Sequence, residues 1–178
     1  MDAKEPTICS IQGFDASRVV TDADVRQLFE QLPSEHWARR VLCSITYVDS
    51  VKEDSDPRRR RDAMSHVFGE CADSSDERHA TIYRQHPTGN HDPYFFRHCI
   101  LHELGHAVYS MVLSVEDKVE WAKRHAKRVV SYNAQSRDPD EHFCNLYAAY
   151  VLRPDFVRFG FGDFYSFLRE RVFSRKEY

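Results

Sequence analysis

The sequence predicts an α+β chain: a helix-rich single domain with a small few-stranded sheet packed against one central helix. Three observations carry this expectation. The 178 residues are a one-domain length, enough to bury a sizeable core. From Asp92 onward, apolar residues recur at helical spacing through successive segments. Before that, only 41–48 and 79–84 have the β-branched and aromatic content of strands, so two or three strands are all the sheet expected.

Thr21 with Asp24 three residues on is a capping-box signature, opening a helix over Asp22 to Gln31 with Val25, Leu28, Phe29 and Leu32 as its apolar stripe. Ser34 can cap a short helix through Trp37 to Arg40. Val41 to Val48 and His79 to Arg84 then read as strands. Between them, 49–77 is the most polar stretch, holding Arg58, Arg59, Arg60 and Arg61 among acidic neighbours. It is expected to be a mobile, solvated loop in which 63–68 forms at most a short strand.

Pro93 suits the first turn of a long helix whose buried stripe is Phe96, Ile100, Leu104, Ala107, Val108 and Met111. Ser114 and Asp117 open the next helix, with Val115, Val119, Ala122, Ala126 and Val129 as its expected apolar face. Pro139 starts a third helix, Asp140 to Leu152, ended by Pro154. Asp163 to Ser174 is expected to be the last. Six of the twelve phenylalanines lie between Phe156 and Phe173, as core or as a docking surface.

The net charge of −3 argues against a general nucleic-acid or membrane-surface binder, and a mean hydropathy of −0.62 against a membrane-spanning chain. Five cysteines without a CxxC pair indicate neither a disulfide framework nor a zinc finger. That usage, with no apolar leader in the first twenty residues, points to the cytoplasm; export without a signal peptide is the alternative.

Histidine is conspicuous, ten residues against six glycines. Two of them form His102-Glu103-Leu104-Gly105-His106, an HExxH motif inside the long helix, where roughly 0.04 matches would arise by chance at this composition. Residues four apart lie about 40° apart around a helix, so both imidazoles can reach one zinc ion while Glu103 points beside it as a general base. A third histidine at the HExxHxxGxxH spacing is lacking, since Tyr109 and Val112 occupy the corresponding positions. Glu141, at the start of the third helix, is the best-placed third ligand, with Asp138, Asp140 and His142 as competitors. Asn145 follows one turn later, where its carbonyl can accept the Nδ1 proton of a ligating histidine.

These motifs, from about Arg97 to Pro154, resemble the gluzincin clan of zinc peptidases. Glu141-x-x-x-Asn145 with Leu152-Arg-Pro154 is similar to the ImmA/IrrE family. His102-Glu-Leu-Gly-His-Ala-Val108, with a tyrosine upstream of Glu141, is similar to the small lethal-factor-like peptidases. The lethal-factor-like proteins usually carry a second acidic residue where Asn145 stands. The resemblance implies a minimal zincin-like fold, one zinc on His102, His106 and Glu141, and peptide-bond hydrolysis in a protein or peptide substrate. It also implies that Tyr132 could stabilise an oxyanion, although its spacing from Glu141 departs by a couple of residues and a packing role fits equally. A fainter resemblance to peptide deformylases would make Cys71 the third ligand. The reading from a different class is a non-catalytic, zinc-containing regulatory or protein-binding module. Glu103 discriminates, because a structural site needs no base beside the metal.

Overall fold

The computed structural model describes residues 8–53, 66–74, 77–90, 92–128 and 138–178. Among them the order is β1 (Ser10–Gln12), α1 (Asp22–Glu30), β2 (Ser44–Val48), β3 (Lys52–Glu53), β4 (His66–Val67), β5 (Gly69–Ser74) and β6 (Glu77–Tyr83). The helices α2 (Pro93–Met111), α3 (Val115–Arg128), α4 (Pro139–Leu152), α5 (Pro154–Gly160) and α6 (Gly162–Phe167) follow. The architecture is α+β, as the composition of the two halves predicts.

The sheet runs β1-β2-β6-β5, the first three strands parallel and β5 antiparallel at the edge. Ile45 and Tyr47 on β2, and Ala80 and Ile82 on β6, turn inward and share one core with Phe96, Ile100 and Leu104 of α2. Thr21 accepts from the Asp24 backbone and Asp24 returns the bond, the predicted capping box of α1. Asp92 caps α2 through the backbone amides of Tyr94 and Phe95, with Pro93 in the first turn. α2 and α4 pack closely. A Cβ on Gly105 would lie 3.0 Å from the Cα of Cys144, so the glycine inside HExxH permits this approach.

Several expectations are corrected. The polar stretch 49–77 contributes β3, β4 and β5, giving a four-stranded sheet plus a β3-β4 pair, more than the two or three strands foreseen. Residues 54–65, with the arginine run, and 75–76 lie outside the described residues. An edge strand has one open flank, so β5 (Gly-Glu-Cys-Ala-Asp-Ser) can be polar and still pair, which imitates a loop in sequence. The helix expected after Ser34 is a single 3-10 turn, Ser34–His36.

In α3 the predicted face is turned around. Val115 and Val119 are 71% and 46% exposed, whereas Trp121 is fully buried against Phe143, Phe164 and Phe167 and donates to the Pro139 carbonyl at 2.8 Å. Burying one indole removes more apolar area than two valines would. Pro154 does not merely end α4 but opens α5. The last predicted helix is α6 running into a wider π-helical turn, Leu168–Val172. That turn leaves the Val172 carbonyl to accept from Nε2 of the fully buried His36, whose Nδ1 lies 2.9 Å from the Tyr147 hydroxyl.

Candidate metal centre

His98, His102 and His106 stand one turn apart on α2, with 5.0 Å between the ring centroids of the last two. Each of these two rings is oriented by α4. Nδ1 of His102 donates to Oδ1 of Asn145 at 3.2 Å, and Nδ1 of His106 to Oδ2 of Asp140 at 3.3 Å. The Asn145 amide is itself turned by a 2.9 Å bond from its Nδ2 to the Glu141 carbonyl. This leaves the Nε2 atoms facing the Glu141 carboxylate, His102 at 3.3 Å from Oε2 and His106 at 3.5 Å from Oε1. With both Nδ1 protons committed, Nε2 lone pairs confront carboxylate oxygens, an arrangement that a shared cation relieves. Two imidazole nitrogens and a carboxylate fit zinc, with Asn145 and Asp140 fixing the ring tautomers from behind. The Glu141 carboxyl is held below its usual range, first by the adjacent His102, with burial opposing.

Glu103 is 5% exposed and projects beside this cluster under β5. Burial pushes its carboxyl up to about 7, against the pull of His102 and His106. The strand leaves it no spare room, because a Cβ on Gly69 would fall 2.5 Å from its Oε1. The groups line a cleft of about 700 Å³ between α2, α4 and the sheet edge, whose sheet side includes Phe68, Glu70 and Cys71. Glu70 is held by Lys52 of β3 and by the Tyr83 hydroxyl, which ties the β3-β4 pair to the edge strand.

The ligand atoms of His102, His106 and Cys144 also lie within 4.8 Å of one another. Cys144 is nevertheless fully buried in the core behind the cluster, its thiol 3.5 Å from Oδ1 of Asp140 and pushed well above its usual range by burial. Zinc takes a thiolate, so Glu141, on the open side and facing both Nε2 atoms, is the better third donor. Cys71 lines the cleft from β5, outside that cluster.

Asp140, foreseen only as a competing ligand, sits behind His106. Tyr132 lies outside the described residues. Tyr109 packs on Phe143 at 5.1 Å and is not part of the cleft wall. His79 bonds Ser44 on the sheet at 2.8 Å, and His86 bonds Thr88. His98 does line the cleft, with Nε2 3.5 Å from Oδ1 of Asn145; its pKa is lowered by burial and then by His102. Gly69 carries no sequence signal beyond being a lone glycine in a polar run. Its partner Glu103 is found only in three dimensions.

Set beside known proteins, the chain matches no family model, no curated protein and no solved structure.

Proposed function

We propose that the protein is a zinc-dependent metalloendopeptidase hydrolysing a peptide bond in a protein or peptide substrate. The observation that carries this reading is Glu103, a buried carboxylate beside the His102, His106 and Glu141 donor set at the cleft floor. Bound zinc supplies Lewis acidity, polarising the scissile carbonyl and lowering the pKa of water.

The chain's own residues do the rest. His102 and His106, their Nδ1 protons committed to Asn145 and Asp140, present Nε2 for coordination. Glu103 accepts a proton from the attacking water and delivers it to the leaving amine. An extended peptide adds to the open flank of β5, main chain to main chain. β6 lies inside the sheet between β2 and β5, so the flank beside the cleft belongs to β5.

Metal analysis and peptide cleavage test the reading together. Glu103→Gln should keep its zinc and lose hydrolysis by about a hundredfold or more. Glu141→Ala should lose zinc affinity. Wild type that binds zinc and cleaves nothing in a broad peptide library would instead indicate the non-catalytic module.

A further inference from the structure

The face of α2 that carries the histidines continues past the cleft to Tyr94, whose ring stacks on His98 at 6.5 Å between centroids. Beyond Tyr94 lies Arg153, where α4 passes into α5. Its guanidinium sits 6.0 Å from the Tyr94 ring and 5.6 Å from the Phe156 ring, between two aromatic faces. These aromatics are not core: Tyr94 is 40%, Phe156 49% and Phe159 83% exposed. Arg153 is itself exposed, and among the described residues no carboxylate or carbonyl accepts from its guanidinium, although Asp155 lines the same depression.

Several other arginines pair with carboxylates. Arg84 bonds Asp49, Arg124 bonds Glu120, Arg158 bonds Glu177, and Arg169 bonds Glu170. An arginine held between aromatic rings with its hydrogen-bonding edge open is pre-oriented for a carboxylate. Exposed aromatics with an arginine are also the residue types that anchor protein contacts.

We propose that Arg153, with Tyr94, Phe156 and Phe159, is an anchoring site for an acidic side chain of the peptide occupying the cleft. The inference deepens the peptidase reading and rests on it for the cleft, though not for bond cleavage. Its position gives a spacing. Tyr94 precedes His102 by two helical turns, about 12 Å along the axis, and an extended chain covers this in roughly four residues. The preferred acidic residue should therefore lie about four to six residues from the scissile bond.

The test uses full-length Glu103→Gln protein on immobilised peptide pairs that differ only by one Glu or Gln. Retention should favour the Glu member by about three- to tenfold, less at high salt. Adding Arg153→Gln should abolish the preference, Arg153→Lys should keep part of it, and Phe156→Ala should reduce it, all with unchanged thermal unfolding. Equal retention of the two members, or a preference that survives Arg153→Gln, overturns the proposal. A salt-insensitive preference for apolar peptides, or self-association through this face, does so too. If wild type cleaves no peptide while the Arg153-dependent preference persists, the anchoring site stands and the peptidase reading falls.

Discussion

A methyl group on Gly69 would meet not only Oε1 of Glu103 but also its Cγ at 2.7 Å and its carboxyl carbon at 2.8 Å, so the whole end of the side chain fills that space. Turning one torsion does not clear it. Gly69→Ala should therefore displace Glu103, the proposed base, while leaving the proposed zinc ligands on α2 and α4 in place: kcat falls by about tenfold or more with zinc content retained. Unchanged turnover in a zinc-loaded Gly69→Ala protein would count against this placement. The same contrast marks what was legible one residue at a time. His102, Glu103 and His106 sit on one helix at fixed angles, and Asn145 follows Glu141 by one turn, so helical period alone brings these side chains toward a common point. Gly69 and Glu103 are brought together by a strand and a helix far apart in sequence, and no local pattern records such a contact. Asp140 and Glu141 are neighbours at the mouth of one helix. Spacing favoured Glu141 as the ligand, but nothing in it showed that Asp140 stands behind Nδ1 of His106.

Among the elements, α3 shows how counting apolar residues misleads. The valine stripe Val115 and Val119 follows helical spacing, yet the helix turns its indole inward, where Trp121 meets α4 and α6 and donates to the Pro139 carbonyl. Trp121→Ala should cost about 3–5 kcal/mol in denaturant unfolding, while Val119→Ser should change stability by less than about 0.5 kcal/mol. The opposite ranking would restore the stripe as the buried face. Helices α1, α2 and α4 were readable because each opens on a local start signal, the capping box in α1 and a first-turn proline in α2 and α4. β5 was not, because its partner β6 and the floor beneath it are supplied by other parts of the chain.

Across the whole molecule, His36 joins three distant segments, bonding the Tyr147 hydroxyl of α4 and the Val172 carbonyl near the C-terminus. Burial lowers its pKa to about 4 from the ordinary 6.5. The unfolded chain thus takes up a proton that the native state resists. The stability contributed is fully present above about pH 6.5 and is lost as pH falls toward 4, on the order of 3 kcal/mol in all. Urea unfolding at stepped pH should show this decline, and His36→Gln, though less stable at neutral pH, should flatten it. The fold class was readable at this scale because helical and strand patterns segregate along the chain. The junction at His36 was not, since it depends on a π-helical turn that no periodicity announces.

The contact of Gly105 with the α4 backbone has a mechanical consequence. Two helices at such close range cannot slide past one another without collision, so the donors they carry move as one block with the core behind them. The opposite side of the cleft is a terminal strand with one bonded flank, braced mainly by Lys52 and Tyr83 on Glu70. The cleft thus has one stiff wall and one compliant wall. Any breathing of the cleft is carried by β5, the strand that also limits the room around Glu103.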